Sequence, residues 1–551
     1  MDAMTVEPAW AILPSMNTVA IDGRGLSVAD VDAVARGRAR VELRGDAGVR
    51  ERMERCARFK DELIGLGTPV YGVTTGVGDS VHTQIAHQKA AALQLNLMRK
   101  LGCGTGSYLP EDYSRAVMLL RANTLARGQS GVRPVLVETL LACLNAGIAS
   151  CIPEEGSVGA SGDLVPLSYV GATLCGQRNV YHRGGEIVPA AQALEAAGIR
   201  PLELQAKEGL ALWNGTAFMT GIAALVLEDA RRLSLLADIC TAMVTEVLTS
   251  SSGPFHPFLH DATKPHPGQA RSAANIRALL EGSQLARPYH DVVSQAGTLR
   301  GDGAVTTRRL PIMLQERYSV RCAPHFIGVL NDAIEWMERW LDVEMNSAND
   351  NPLFDAEEGV VHNGGNFAGG HVAFLADALK VAVASVADLL DRQLALIVDE
   401  KFSRGLPPNL SPELPADDPE AGTHHGFKGV QLAVSSLAAE ALGRCMPMTI
   451  FSRSTEAHNQ DKVSMGATAA RGARDVVALS EKVAVLCLLA LCQAADLRGP
   501  GKLGRTRAVH ELVRSVSAPV DRDRELEDDI ARLLQRVRAG DVTRAAFDGP
   551  A

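Results

Sequence analysis

Residues 156–167 read Gly-Ser-Val-Gly-Ala-Ser-Gly-Asp-Leu-Val-Pro-Leu. Three glycines within seven residues allow the backbone to turn sharply and to approach itself closely. Apolar residues follow at once, so we expect the turn to be held against a hydrophobic core. A phosphate-binding loop would end in Gly-Lys-Ser/Thr, and a nucleophile elbow counted from Gly159 would need glycine where Asp163 stands. Taken alone, the stretch predicts a Gly/Ser-rich turn before a helix.

The composition around this stretch is that of a globular protein. The chain has 551 residues, of which 22% are charged and 46% hydrophobic. Its formal net charge is −9 and it contains no long basic run, so nucleic acid is not an expected partner. No two of the ten cysteines form a Cys-x-x-Cys pair, which indicates neither a zinc site nor a disulfide framework.

The same sequence carries no obvious targeting or membrane signal. The N-terminal residues lack a basic-then-apolar pattern. The longest strongly apolar run, residues 483–492, has ten residues and is too short to span a bilayer. We therefore expect a soluble, cytoplasmic protein.

Very long helical patterns occur at 217–248, 371–398 and 473–496. Helices of about 25 to 30 residues run roughly 40 Å, and apolar residues around much of their circumference require burial by neighbouring helices or subunits. No repeat of roughly 34 or 40 residues is visible, which favours a bundle over a solenoid. The sequence predicts a mainly α fold: a long-helix bundle with a smaller mixed α/β N-terminal part.

Shorter elements are expected on either side of the long helices. A strand begins at Asn17, Ser27 can cap the helix that follows, and a surface hairpin is expected near 177–187. Residues 265–312 are polar and contain glycines, so we expect an exposed excursion there. The remaining helical patterns are at 47–66, 88–101, 115–127, 134–145, 189–198, 505–516 and 524–540.

Other polar segments interrupt these patterns. Residues 69–78 form a glycine-punctuated loop that contains Tyr71, and the pair Asn214-Gly215 favours a turn. Tyr318 and Arg321 are three residues apart, so on a helix they would share one face. Each segment by itself is also compatible with an ordinary turn, a packing tyrosine or a surface cation.

The triad Ala160-Ser161-Gly162, in this neighbourhood, closely resembles the self-processing triad of the histidine/phenylalanine/tyrosine ammonia-lyase and aminomutase family. In that family the triad cyclises into 4-methylideneimidazol-5-one (MIO), an electrophile made from the chain itself. The third residue's nitrogen attacks the first residue's carbonyl, which favours glycine, and the serine loses its hydroxyl as water. The resemblance makes Ser161 the methylidene source and Ala160 and Gly162 the residues that close the ring. It implies neither a metal nor pyridoxal phosphate.

The loop at 69–78, Pro-Val-Tyr-Gly-Val-Thr-Thr-Gly-Val-Gly, resembles the lid loop of the same family. That loop carries a tyrosine proposed as a proton-transferring base, and Tyr71 takes this role here. Val77 stands in place of the usual phenylalanine. A tyrosine base needs a lowered pKa, which nearby positive charge or hydrogen bonds can provide.

Further blocks resemble the family's electrophile and carboxylate contacts. Asn214 matches an asparagine that hydrogen-bonds the electrophile ring and helps to polarise it. Tyr318-Ser-Val-Arg321 matches the block with a second tyrosine and the arginine that clamps the substrate carboxylate, a task suited to a planar guanidinium. Gln315 matches a glutamine near the electrophile.

Three more blocks are similar to family signatures, and by that resemblance Asn351, Phe367 and Gln460 belong to the substrate site. Histidine-specific members tend to carry glutamate at the position of Gln460, so its amide favours another substrate. The blocks are Asn-Ser-Ala-Asn-Asp-Asn-Pro (346–352), Gly-Gly-Asn-Phe (364–367) and Asn-Gln-Asp-Lys-Val-Ser (459–464).

The pair Lys100-Leu101 bears on substrate choice. At these positions histidine-specific relatives commonly show Ser-His, tyrosine-specific ones His-Leu and phenylalanine-specific ones Phe-Leu. Leu101 argues against imidazole recognition, whereas Lys100 matches none of the three. Lys100 can extend into solvent along its stem; pointing inward, it would favour an oxygenated or anionic ring substituent.

The resemblance covers residues 18–540 and implies an ammonia-lyase that converts an aromatic L-amino acid into a trans-α,β-unsaturated aryl acid, of the phenylalanine/tyrosine type. The alternatives are a 2,3-aminomutase that gives a β-amino acid, a histidine ammonia-lyase that gives urocanate, and a relative with degenerate chemistry. The family assembles as a homotetramer with active sites shared between subunits, in agreement with the long apolar helices.

The resemblance also suggests three parts in chain order. We expect residues 1–215 to carry the lid tyrosine and the triad. Residues 216–498 would form the long-helix bundle with the carboxylate- and electrophile-contacting residues. Residues 499–551 would form peripheral C-terminal helices.

Overall fold

The computed structural model describes residues 17–45, 47–299 and 307–548. Part of the predicted polar excursion, at 300–306, lies outside the described residues, as do residues 1–16, on which the signal-peptide prediction rests. The prediction of a mainly α fold is confirmed. The helices are α1 (Val28–Ala35), α2 (Ala47–Gly65), α3 (Ala90–Lys100), α4 (Glu111–Ala126), α5 (Pro134–Asn145), α6 (Leu164–Leu174), α7 (Ala190–Ala196), α8 (Glu208–Trp213), α9 (Ala217–Val247), α10 (Pro267–Leu279), α11 (Tyr289–Ala296), α12 (Tyr318–Arg321), α13 (Ala323–Met345), α14 (Gly370–Val398), α15 (Lys428–Gly443), α16 (Gly466–Arg498), α17 (Thr506–Arg514), α18 (Glu527–Arg538) and α19 (Asp541–Phe547).

Short strands form small separate sheets. The strands β1 and β2 pair in parallel, β3 pairs with β5, β4-β6-β7 form an antiparallel sheet, and β8 pairs with β9. The predicted hairpin is present as β6–β7. The strands are β1 (Asn17–Ile21), β2 (Ala39–Leu43), β3 (Thr105–Tyr108), β4 (Ile148–Ser150), β5 (Pro153–Glu155), β6 (Asn179–His182), β7 (Glu186–Pro189), β8 (Leu353–Asp355) and β9 (Val360–His362).

The chain divides into two compact units, each assembled from separated stretches. The first unit comprises Met1–Glu228, Glu338–Asp377 and Pro447–Arg471. The second comprises Asp229–Met337, Ala378–Met446 and Gly472–Ala551. The division at residues 215 and 498 that the sequence suggests follows chain order and stays a prediction.

Local signals explain several helix ends. Ser27 accepts a hydrogen bond from the Asp30 N–H, and the Asp30 carboxylate accepts one from the Ser27 N–H, so α1 begins with a complete capping box. Pro134 opens α5 at a position where its missing N–H costs nothing. Both ends of α5 agree with the helix predicted from the sequence.

The long helices contain much of the hydrophobic core. In α9 the stretch 217–227 is buried throughout, and so is the stretch 483–495 in α16. None of the described helices is both long enough and apolar enough to cross a membrane.

The glycine-rich stretch ends where α6 begins. Pro166 and Leu167 of α6 are buried, as expected for a turn held against a core. Helix α6 packs against α8. Because α8 ends at Trp213, Asn214 and Gly215 come directly beside the turn, and Gly162 and Gly215 form a parallel bridge.

Candidate active site

The first unit contains a cavity that brings together most of the residues singled out from the sequence. Every residue that lines it belongs to that unit. Nine of them were predicted site residues: Tyr71, Lys100, Leu101, Ala160, Ser161, Asn214, Asn351, Phe367 and Gln460. The other lining residues are Val77, Gly78, Leu97, Leu164, Leu210, Trp213, Glu456, Asn459, Asp461 and Lys462.

Gly162 follows the two lining residues Ala160 and Ser161 and lies against Gly215. Its φ is +68°, a conformation that favours glycine, and a Cβ built on it would lie 2.0 Å from the carbonyl oxygen of Gly215. The same Gly215 oxygen accepts a hydrogen bond of 2.8 Å from the Asp163 N–H. Only glycine is therefore compatible with this position.

The carbonyl oxygen of Ser161 accepts two hydrogen bonds. The side-chain Nδ2 of Asn214 donates at 2.7 Å, and the backbone N–H of Gly215 donates at 3.2 Å. The Asn214 Oδ1 in turn accepts the N–H of Asn351 at 2.7 Å, which fixes the orientation of the amide. Two fixed donors on one carbonyl stabilise negative charge that develops on its oxygen.

The hydroxyl of Ser161 has its own donor. Gln460 Nε2 donates to Ser161 Oγ at 3.1 Å, and Gln460 Oε1 accepts the hydroxyl of Thr455 at 2.9 Å. The amide of Gln460 is thus held with its N–H toward the serine. An N–H directed at a hydroxyl oxygen assists its departure as water.

Asp163 stabilises the turn from behind and was not among the predicted site residues. Its carboxylate accepts hydrogen bonds from Ser157 Oγ at 2.7 Å and from the Met219 N–H at 2.9 Å. Complete burial nevertheless raises the pKa of Asp163 to about 7, because the two hydrogen bonds only partly offset the loss of solvent.

The hydroxyl of Tyr71 accepts a hydrogen bond of 2.8 Å from the Gly78 N–H. The loop at 69–78 turns at Gly78, whose φ of +60° favours glycine, and this turn brings the Gly78 N–H to the Tyr71 hydroxyl. Burial raises the pKa of Tyr71, the Gly78 N–H opposes the rise, and the Glu456 carboxylate adds to it. The sequence-based scheme asked for a lowered pKa, whereas the surroundings of Tyr71 in this chain shift it upward.

Glu456 is a cavity residue that the sequence analysis missed. A Cβ built on Gly78 would lie 2.2 Å from the Glu456 carboxyl carbon, so the carboxylate lies against the glycine that holds Tyr71. Glu456, Ala457 and His458 all have left-handed φ angles, of 52°, 50° and 64°. Non-glycine residues rarely adopt this conformation in succession, so no sequence signal indicates the turn.

Lys100 and Leu101 lie at the end of α3. Lys100 lines the cavity while its side chain is exposed, and Leu101 is half-buried. Asn351 Oδ1 accepts the Gly364 N–H at 2.8 Å, which ties the two asparagine- and glycine-rich blocks together near Phe367.

Gln315, Tyr318 and Arg321 belong to the second unit and are not among the described residues that line this cavity. Tyr318 and Arg321 share one face of α12, with the guanidinium 4.5 Å from the centre of the tyrosine ring. The tyrosine is 70% exposed. The Nε of Arg321 is buried and has no hydrogen-bond partner in the part of the chain that the structure describes.

The sequence matches the model of a known enzyme family. Residues 26–516 fit the family model described as aromatic amino acid lyase, so the chain belongs to the aromatic amino acid lyase family, which comprises carbon–nitrogen lyases and related aminomutases. The family resemblance predicted from the sequence is confirmed.

Similar proteins within that family carry different activities in their names. The chain is 39% identical to the tyrosine ammonia-lyase of Cupriavidus metallidurans, over 97% of this chain and 99% of the relative. It is 38% identical to the MIO-dependent tyrosine 2,3-aminomutase of Streptomyces globisporus, over 96% of each chain. The crystal structure of histidine ammonia-lyase from Trypanosoma cruzi superposes with a TM-score of 0.84 at 31% identity, covering 97% of this chain and 96% of that one.

Proposed function

We propose that this chain is an ammonia-lyase that removes ammonia from an aromatic L-amino acid, tyrosine or phenylalanine rather than histidine, and leaves a trans-α,β-unsaturated aryl acid. Membership of the lyase family and the 39% identity to a tyrosine ammonia-lyase support the reaction class. The observation that carries the proposal is the Ser161 carbonyl, which accepts two hydrogen bonds in a cavity that Tyr71 also lines.

The proposal includes formation of MIO from Ala160, Ser161 and Gly162 without metal or pyridoxal phosphate. A bond forms between the Gly162 nitrogen and the Ala160 carbonyl carbon. The Ala160 oxygen leaves as water with the protons of the Gly162 and Ser161 amide nitrogens, and a C=N bond then joins the Ala160 carbon to the Ser161 nitrogen. Ser161 then loses its Cα proton and its hydroxyl as a second water. The triad is suited to forming MIO, because Gly162 has no room for a side chain and both oxygens of Ser161 accept hydrogen bonds. The finished heterocycle supplies an electron sink for the bound amino acid.

The side chains of the cavity would divide the remaining tasks. Tyr71 removes the β-proton of the substrate, after the Gly78 N–H has fixed the direction of its hydroxyl. Asn214 holds the Ser161 carbonyl polarised. Lys100 and Leu101, with Phe367 and Asn351, surround the amino acid side chain and its neighbouring atoms.

The residues of the second unit complete the proposed scheme. Arg321 clamps the substrate carboxylate, Tyr318 orients the electron sink, and Gln315 lies near it. We propose that these residues reach the cavity from another subunit of a homotetramer. The exposed apolar side chains Val343 and Phe374, which are 72% and 54% exposed in the single chain, support such an assembly. We also propose that the protein is cytoplasmic.

The decisive experiment measures the mass and the absorbance of the purified protein. A deficit of two waters in the intact mass and a near-ultraviolet band, both absent in Ser161→Ala, are expected. Incubation with L-tyrosine, L-phenylalanine and L-histidine, followed by absorbance of the unsaturated acid, then ranks the substrates. An intact mass without the two-water deficit in active protein would contradict the proposal.

A 2,3-aminomutase is the second candidate, because the chain is 38% identical to a relative with that activity in its name. The same residues serve both reactions, and the difference lies in how long the closed site retains the product. Detection of a β-amino acid as the main product would favour the mutase. A histidine ammonia-lyase is less favoured, since Leu101 and Gln460 replace residues typical of imidazole recognition.

A further inference from the structure

Arg121 is a fully buried arginine in α4 whose surroundings do not satisfy it. Its exposed fraction is 0%. Its Nη1 donates to the Asn214 carbonyl at 2.7 Å, while Nε and Nη2 have no hydrogen-bond partner among the described residues. Burial of a guanidinium with unpaired donors is costly, so a purely structural role explains it poorly.

Arg115, two turns earlier in the same helix, shows what a structural arginine looks like here. Its Nε, Nη1 and Nη2 donate to the carbonyl oxygens of Ala35, Leu144 and Val34 at 2.9, 3.1 and 3.0 Å. Every nitrogen of Arg115 therefore has a partner. Arg121 contrasts with it, because its one hydrogen bond goes to the peptide unit beside the candidate active site.

That peptide unit connects Arg121 with the triad. Arg121 donates to the Asn214 carbonyl, and the Gly215 N–H of the same peptide group donates to the Ser161 carbonyl. Hydrogen bonds arranged in such a chain polarise one another. A Cβ built on Gly215 would lie 2.3 Å from Arg121 Nη1, so the absence of a side chain lets the guanidinium approach.

The buried charged groups around Arg121 do not sum to zero charge. Lys207 and Asp350 are buried next to Arg121 and pair with each other at 2.6 Å, and Asp350 also accepts the Ser130 hydroxyl at 2.9 Å. The three charged groups sum to one positive charge. Burial lowers the pKa of Arg121 to about 10, with Asp350 opposing the shift, so the guanidinium keeps its charge at neutral pH.

We infer that Arg121 is a positioning residue that acts through the Asn214–Gly215 peptide to stabilise negative charge on the Ser161 oxygen. The inference rests on the proposed function. Such charge develops when Ser161 loses its Cα proton and then its hydroxyl, and the same oxygen remains the carbonyl of the heterocycle. Arg121 therefore assists both the dehydration of Ser161 and the later turnover.

The test compares Arg121→Met with Arg115→Met, which removes a buried arginine from the same helix but not from the site. Arg121→Met is expected to lose its waters more slowly, as followed by intact mass and near-ultraviolet absorbance. In the molecules that have lost both waters, kcat should be lower than in the wild type by about 10-fold or more, at a nearly unchanged KM. This decrease is smaller than the roughly 100- to 1000-fold decrease in kcat expected when a direct hydrogen-bond donor is removed. Arg115→Met should match the wild type in both measurements per folded molecule.

Complete loss of two waters together with an unchanged kcat in Arg121→Met would overturn the inference. If Arg121→Met does not fold, the comparison of Arg121→Lys with Arg121→Gln tests the inference instead. Both variants keep a polar donor at this position, and only the lysine variant keeps the positive charge. Faster dehydration and a higher kcat in the lysine variant support the inference, and equal values overturn it. A wild-type protein without the two-water deficit would instead overturn the proposed function itself.

Discussion

The base in the proposed mechanism is a single hydroxyl, and its environment decides the pH at which it would work. Tyr71 is half-buried, receives the Gly78 N–H and faces the Glu456 carboxylate. Burial and the carboxylate both raise the pKa of the phenol, because they disfavour the phenolate. Activity that depends on the phenolate should therefore rise toward alkaline pH.

The substitution Glu456→Gln tests whether the Glu456 carboxylate raises the pKa of Tyr71. Loss of the negative charge lowers the pKa of Tyr71, so the rising limb of the kcat/KM profile should move to lower pH. The measurement is a pH profile of kcat/KM from neutral to alkaline pH.

Asp461→Asn is the matched control, since Asp461 also lines the cavity but is not among the charges that shift Tyr71. If the rising limb of the kcat/KM profile does not move in Glu456→Gln, or moves equally in Asp461→Asn, the Tyr71 pKa shift cannot be assigned to Glu456.

Gly162→Ala tests the steric requirement of the triad. The new Cβ would approach the Gly215 oxygen to 2.0 Å, so the turn must open and the pairing of Gly162 with Gly215 must break. We expect the protein to fold with loss of the two-water mass deficit.

Gly198→Ala separates this clash from backbone strain. Gly198 has nearly the same φ, +67°, but no atom lies within 4 Å of a Cβ built there. This variant should keep the mass deficit with a modest loss of stability, about 1 kcal/mol. A normal mass deficit in Gly162→Ala would show that the approach of the two glycines is not required.

At the scale of elements, a buried carboxyl links α9 to α10. Asp238 in α9 accepts hydrogen bonds from Ser272 and Asn275 in α10. Burial raises the pKa of Asp238 to about 7, and these two hydrogen bonds oppose the rise only in part. The folded protein therefore holds a proton that the unfolded chain releases near its ordinary pKa of 3.8.

The sign of the resulting pH dependence follows from proton binding. Between the unfolded and the folded pKa the folded state binds more protons, so stability contributed by Asp238 is lost as pH rises through this window. The loss amounts to about 4 kcal/mol at 1.36 kcal/mol per pKa unit. Asp238→Asn should flatten this part of the curve, as measured by denaturant unfolding across acidic to neutral pH, and a curve parallel to the wild type would refute it.

Helix boundaries show the limit of local signals. The sequence predicts a helix from Ala473, yet α16 begins at Gly466. Gly472, inside the helix, weakens the helical pattern by about 1 kcal/mol, and Gly466 is the first residue of α16. Burial of Ala467, Ala469 and Ala470 outweighs this cost, and burial is not visible in the local sequence.

At the scale of the whole molecule, the proposed sharing of active sites between subunits predicts complementation between inactive subunits. Tyr71→Phe removes the proposed base and Arg321→Met removes the proposed carboxylate clamp, so each variant alone should be inactive. When the two are co-expressed, mixed oligomers contain sites with both native residues and should regain activity, measured after purification through two different tags.

A second pairing controls for nonspecific rescue. Tyr71 and Asn214 line the same cavity of one chain, so Tyr71→Phe mixed with Asn214→Ala should stay inactive. Inactive mixtures in both pairings would contradict the sharing of sites between subunits.

The sequence by itself determined the helical class, the family and most of the cavity wall. Periodic apolar residues and caps such as Ser27 act within a few neighbours, so they can be identified without coordinates. The triad and the blocks that contain Tyr71, Asn214 and Gln460 are equally local, because the chemistry needs particular residue types in succession.

Only the tertiary structure decided how these residues act on one another. The donors on Ser161 come from residues 53 and 299 positions away, and the arginine behind Asn214 is 93 positions distant from it. The upward shift of the Tyr71 pKa depends on burial and on Glu456, which a left-handed turn brings to the cavity. Desolvation and through-space charge depend on distances in the folded chain, and those distances follow from packing rather than from neighbouring residues.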